Sequence, residues 1–209
     1  GIMGTEDAFH FGKIRLSGDG EIKARITSLS DTNPWTKAGV MIREDLSAAS
    51  RFAMVFATPQ NGFGGNYRLA PGGNREYASA PPLNAAPDNW VRLVRVGNNI
   101  SGYTSANGSA WTQIFVIDLP GLAFSSYFGL ALTSTENNQL ATAVLDNVQI
   151  TGTPAAAAGG NATNTLAALE PSDVPPAPGY PASWGQWTGG WEIGATSDDG
   201  DFTADLMEY

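Results

Sequence analysis

Glu21-Ile-Lys-Ala-Arg-Ile-Thr-Ser-Leu29 alternates Ile22, Ala24 and Ile26 with Lys23, Arg25 and Thr27. Successive side chains of an extended chain point to opposite faces, so this period of two predicts a strand with one face in a core and one toward water. Outward along the chain the pattern repeats. Thr36–Glu44 sets Ala38, Val40 and Ile42 on one face, and Arg51–Thr58 is apolar on both, as a central strand would be. Trp90–Val96, Asn99–Ser105, Trp111–Asp118, Tyr127–Ser134 and Leu140–Thr151 read as further strands. Between them stand Gly18-Asp-Gly20, Gly97-Asn-Asn99, Asn107-Gly108 and Asn137-Asn138, all turn formers. Asn107-Gly108 predicts a two-residue hairpin turn, covered by Trp111 at the start of the returning strand. Regularly spaced strands without helical periodicity predict an all-β sandwich.

Composition sets the boundaries of this reading. The 209 residues are 42% hydrophobic, with 25 glycines, 13 prolines and no cysteine. That is enough to fill one sizeable core, and it excludes disulfides and thiolate metal sites. No apolar run is long enough for a membrane-spanning helix, and no charged leader stands before Gly1-Ile2. The net charge of −9 is unevenly placed. Residues 1–153 hold all 11 basic residues and 12 acidic ones, whereas residues 154–209 hold 8 acids and no base. Residues 1–153 are therefore read as the sandwich, 154–183 as a Pro/Ala/Gly-rich linker, and 184–209 as an acidic, Trp-rich tail ending in a strand. An acidic tail beside a near-neutral body disfavours nucleic acid as a partner.

Catalytic signals are sparse. No run of acids at alternating positions marks a glycosidase strand. His10, the single histidine, sits between Phe9 and Phe11 without a nucleophile motif and reads as structural. One His and no Cys leave zinc, copper and haem without a ligand set. Calcium needs only oxygen, and Glu6, Asp7, Asp19 and Asp146 at strand ends are its candidates. For a sugar, aromatic faces and flanking polar groups are the usual tools, and Trp35, Phe63, Tyr67, Arg68, Arg75 and Tyr77 offer them. Phe63, in Asn61-Gly-Phe-Gly-Gly65, is expected on an exposed flexible tip.

Several motifs recur in an order that resembles a known group. They are Gly4-Thr-Glu-Asp-Ala-Phe-His-Phe11, Leu16-Ser-Gly-Asp-Gly-Glu-Ile22, Pro34-Trp-Thr-Lys-Ala-Gly-Val-Met-Ile-Arg-Glu44, Trp90-Val-Arg-Leu-Val-Arg95, Ser105–Trp111, Phe128-Gly-Leu-Ala-Leu132 and Leu145-Asp-Asn-Val148. Together, over residues 1–152, they resemble the concanavalin A-like jelly-roll modules of bacterial extracellular proteins called "regulation of enolase protein 1"-like. The resemblance implies two curved antiparallel sheets, an extracellular or cell-surface setting and no catalytic residues. Members usually carry a hairpin before the segment matching Gly1–Phe11. Its absence leaves an unpaired edge, and the tail strand, with Trp191, Phe202, Ala204 and Leu206, is expected to fill it in its own molecule or in a neighbour. Two functions follow: a non-catalytic binding or adhesion module for glycans or cell-surface ligands, or a filament subunit assembling by strand complementation.

Overall fold

The computed structural model describes residues 1–80, 89–136 and 139–155, together with the backbones of two later strands. Fifteen strands follow one another without a helix among the described residues. The first seven are β1 (Ile2–Met3), β2 (Glu6–Asp7), β3 (Phe9–Leu29), β4 (Lys37–Arg43), β5 (Phe52–Ala57), β6 (Phe63–Arg68) and β7 (Glu76–Ser79). Next come β8 (Asn89–Val96), β9 (Asn99–Ser105), β10 (Thr112–Asp118), β11 (Ser125–Thr133), β12 (Gln139–Ala141) and β13 (Ala143–Pro154). The last two are β14 (Glu170–Val174) and β15 (Leu206–Glu208). None of the described residues forms a helix long and apolar enough to cross a membrane.

The order β10-β9-β8-β3-β11-β4-β5-β6-β7 is a single antiparallel ladder that folds over into two layers. Its pivot is β3. Residues 10–17 pair with β11, and residues 20–26 pair with β8. One layer is therefore β3's first half with β11, β4, β5, β6 and β7; the other is its second half with β8, β9 and β10. On the opposite edge, β13 pairs with residues 16–29 and β14 with residues 9–13. The Gly18-Asp-Gly20 segment, expected as a turn, instead lies inside β3. Gly20 pairs on both sides, with Arg95 and Gly152, while Gly18 and Asp19 fall in a shift of the β13 register, and the positive φ at Gly18 (70°) accommodates the change of layer.

Between the layers lies one apolar core. Ile22, Ala24, Ile26, Val91, Leu93, Ile100 and Leu145 meet Val40, Ile42, Val55, Phe128, Leu130 and Leu132 there. Each fully buried Leu, Ile or Phe contributes about 1.5–3 kcal/mol. Phe115 crosses from β10 into the space left by Gly65 and Gly102, where a Cβ on either glycine would overlap its ring. The arrangement is an all-β jelly-roll-like sandwich.

The layer containing β4 and β5 is buried on both faces, as the apolar run over residues 51–58 requires. Its outer face carries a second cluster of Ile2, Phe9, Phe11, Met41, Phe52, Met54, Phe56 and Ala131. The β1–β2 hairpin lies at one end of this face, with Ile2 in the cluster and Asp7 buried beside it.

Two local expectations change. Asn107 does not make a two-residue turn, because β9 and β10 are joined by residues 106–111. Asn107 Oδ1 accepts from the backbone N–H groups of Ser109 and Ala110, and Ser105 Oγ accepts from those of Asn107 and Gly108. These side-chain acceptors stabilise a wider loop. The ring against Gly108 is Trp90, whereas Trp111 is half-buried under the Arg92 guanidinium, 5.4 Å from its ring centre.

The tail also pairs with the body within this chain. Glu170–Val174, inside the segment read as linker, lies antiparallel to Phe9–Lys13. Leu206–Glu208 pairs with Gln139–Ala141.

Loops are tied by partly buried ion pairs. Arg51 donates to Glu44 and to the carbonyls of Pro120 and Gly121, while Glu44 accepts from the Ala123 N–H. Arg25 on β3 pairs with Asp146 directly opposite it on β13. The hydrogen bond from Arg51 holds the Glu44 carboxyl below the usual carboxylate range, and that from Arg25 does the same for Asp146. The unfolded chain therefore takes up these protons first, at about pH 4, and the stabilisation present above that pH is lost as pH falls through the lower folded values. Thermal melts from pH 7 to pH 2 should show the loss beginning below about pH 4, and a Glu44→Gln, Asp146→Asn double variant should flatten the slope. Trp111→Ala should cost about 1–2 kcal/mol in a denaturant titration, below the about 3–5 kcal/mol of a fully buried tryptophan.

Candidate functional site

Four strands place the outer-face side chains in rows. Across the pairing, Met41 lies beside Met54, Met54 beside Asn66, and Asn66 beside Tyr77. The neighbouring row runs Phe11, Ala131, Gly39, Phe56, Gly64 and Ser79. Gly64 leaves room for an aromatic ring, since a Cβ there would stand 2.8 Å from Tyr77 Cε2 and 3.2 Å from Phe56 Cζ.

At this end of the face two large aromatics reach water, Trp35 at 43% exposure and Tyr77 at 44%. Their rings meet edge to face with centroids 6.3 Å apart. Trp35 stands in the connection between β3 and β4, held by its backbone. Its N–H donates to Asn33 Oδ1, and its carbonyl accepts from Thr135 Oγ1 and Lys37 Nζ. The Lys37 ammonium lies 6.0 Å from the Trp35 ring centre and 5.7 Å from that of Phe56. Beside Tyr77, Arg75 Nη1 donates to Asn66 Oδ1 at 2.9 Å. Asn66 Nδ2 and Arg75 Nε are buried without a hydrogen-bond partner. Such orphaned donors call for an explanation, because a buried unsatisfied donor costs about 1–3 kcal/mol.

The structure thus brings Trp35, Arg75 and Tyr77 together and separates the other three expected sugar contacts from them. Phe63 is not on an exposed tip but 4% exposed at the start of β6, in the sandwich core. It faces inward because it stands opposite Ala57, whose side chain fills the interior. Tyr67 shares that inward parity and packs on Phe115 at 5.5 Å between centroids. Burial, then the nearby Glu76 carboxylate, pushes its phenol pKa up. Arg68 is wholly buried. Sequence reasoning missed Asn66, Lys37 and Phe56. Alternation within β6, with Phe63 and Tyr67 on one face, puts Asn66 on the other.

Arg68 belongs to a different structure. With Arg43 it shares the Asp7 carboxylate, Arg43 Nη1 and Arg68 Nη1 both 2.7 Å from Oδ2 and Arg68 Nη2 2.8 Å from Oδ1. All three side chains are fully shielded. The guanidinium planes also lie on phenylalanine rings, Arg43 on Phe9 at 5.3 Å and Arg68 on Phe52 at 5.1 Å. Burial lowers the Arg43 pKa, and Asp7 opposes that shift.

The four expected calcium ligands are not gathered. Asp7 is enclosed by the two arginines, Glu6 is exposed on β2, Asp19 accepts from the Gly97 N–H, and Asp146 is paired with Arg25. Among the described residues no three His, Cys, Asp or Glu side chains converge as a metal cage. His10 is buried in β3. Of the expected assembly residues, Leu206 lies in β15, while Trp191, Phe202 and Ala204 lie outside the described residues.

No protein-family model matches the chain, and no curated protein matches it in sequence. Solved structures do match. A functionally unknown protein from Saccharomyces cerevisiae aligns with a TM-score of 0.57 at 15% identity, over 69% of this chain and 75% of its own. A GH43 protein from Bacillus licheniformis aligns with a TM-score of 0.50 at 12% identity, over 66% of this chain. The chain spans 27% of that protein's length. What these proteins share with this chain is the fold.

Asp7→Ala should destabilise the protein by about 3–5 kcal/mol, since it strands two buried guanidinium groups. Added calcium should not restore the loss, as read from thermal melts of the variant with calcium and with chelator.

Proposed function

We propose that the Trp35–Tyr77 end of the outer face binds carbohydrate, and that the protein is a non-catalytic extracellular or cell-surface binding module. The observation that carries this reading is the pairing of two half-exposed aromatic rings with buried, unpartnered donors on Asn66 and Arg75. The rings offer apolar faces for the C–H side of a pyranose, and the donors offer hydrogen bonds to its oxygens. The site stands on two paired strands and a loop fixed by three hydrogen bonds, so little ordering is needed on binding.

A second reading, assembly through the tail, draws on β14 and β15, which pair with body strands. The geometry favours closure within one molecule. Ala155 bonds the Arg15 carbonyl and Glu170 pairs with Lys13, so the two ends of the intervening loop stand two residues apart along β3, about 7 Å. Closing that loop in cis is inexpensive in chain entropy, and its effective concentration exceeds that of a neighbour.

Trp35→Ala and Tyr77→Ala should each weaken glycan binding at least tenfold in calorimetry while leaving the melting temperature nearly unchanged. Phe63→Ala should act the other way and lower stability by about 3–5 kcal/mol. Glycan binding indifferent to both surface substitutions would remove the site. Light scattering across a concentration series should show a monomer, and concentration-dependent growth would favour the assembly reading.

A further inference from the structure

The outer face has a charge as well as a shape. At its strand positions stand Lys13, Arg15, Lys37, Arg43 and Arg68, with Glu170 of β14 in register with Lys13. The one carboxylate on the face among the described residues that is buried with them, Asp7, is already shared by Arg43 and Arg68 at the far end. Arg75 adds a further cation beside the exposed rings. The unmatched groups of the patch are of one kind: Asn66 Nδ2 and Arg75 Nε are both donors. A neutral sugar hydroxyl brings a donor with each acceptor. A carboxylate brings only acceptors, about four lone-pair sites, and matches the fork of a guanidinium.

We infer that the ligand of this site is an anionic polysaccharide built from uronic acid residues, stacked on Trp35 and Tyr77, with its carboxylate held by Arg75. The inference rests on the carbohydrate reading above and narrows it. Asn66 acts as a positioning residue: its Oδ1 orients the Arg75 guanidinium. Lys37, packed under Trp35, raises the local positive potential without needing to touch the sugar.

The test uses the full chain and one polymer in two charge states, de-esterified polygalacturonate and its highly methyl-esterified form. Neutral xylan and dextran sulfate serve as the other arms. The acid form should bind at least tenfold more tightly than the ester, and more tightly than both other polymers. Raising salt from 50 to 500 mM should weaken that binding severalfold. Arg75→Gln should reduce the preference for acid over ester toward unity with an unchanged melting temperature. Because the ester comparison and the salt series use the unaltered protein, they decide the matter even if the variant folds poorly. Equal binding of acid, ester and xylan would overturn the uronate assignment and leave the carbohydrate reading standing. Tighter binding of dextran sulfate would overturn it in favour of sulfate esters. No binding to any polymer would overturn both.

Discussion

Backbone pairing along both edges of Phe9–Leu29 is the constraint on which the two layers depend. A strand buried in one sheet needs partners for its N–H and C=O groups, and a strand that serves two sheets needs them twice over. Here β11 and β8 divide one edge between them, and β14 and β13 divide the other. The joint falls at Gly18–Gly20, where the partners change. Gly18 adopts the left-handed φ that lets the strand turn from one layer to the next while its ladder continues. A glycine there is a requirement of the fold, whereas at Asn107-Gly108 the side chains of Asn107 and Ser105 do as much of the work as the glycine.

A layer with both faces buried has a further consequence. The inner face of β4 and β5 can be all hydrocarbon, but the outer face must accommodate the N-terminal hairpin, and it does so through charge. One carboxylate between two guanidinium groups leaves a net positive charge shielded from water, relieved in part by the phenylalanine rings beneath. Such a triad contributes little net stability against an apolar alternative, but it fixes where the hairpin sits, because the wrong register would strand the charges. The same positive face extends toward Lys37 and Arg75, so the anchor and the candidate binding patch are parts of one electrostatic surface.

Strand order was legible wherever one face is apolar and the other polar. Glu21–Leu29 emerges as a strand with Ile22, Ala24 and Ile26 inward as expected, and Trp90–Val96 and Asn99–Ser105 emerge as strands. The residues around Phe63 were illegible for a physical reason. Gly64 and Gly65 carry no side chains to alternate, and they are glycine because Tyr77 and Phe115 occupy the space a Cβ would need. The tertiary neighbours that make β6 a strand are far away in the chain, so a local reading takes the segment for a loop. Asp7 and Arg68 misled in the same way. Read singly, each is a surface ligand; their partners, Arg43 and each other, are brought in only by the fold. Trp35 and Tyr77 stand in short polar connections and at a strand edge, and the fold leaves both half-exposed and in ring contact, with Arg75 beside Tyr77 in sequence.

The outer face around Trp35 and Tyr77 is carried by strands that also build the core. Small residues at Gly39, Gly64 and Gly129 lower the floor of the sheet, so rings from the flanking strands and loop define walls. The floor is rigid because it is shared with the core. Met54 and Phe56 point outward from the strand whose Ala53, Val55 and Ala57 fill the interior. Any change that repacked the groove would have to move β5, and with it the sandwich. Variation is therefore cheapest at the rim, in the β3–β4 connection around Trp35 and in the residues about Arg75 and Tyr77, where a new ligand preference costs no core packing. Asn66 stands on strand β6, in the rigid floor, and Arg75 stands just before β7, where that floor meets the rim.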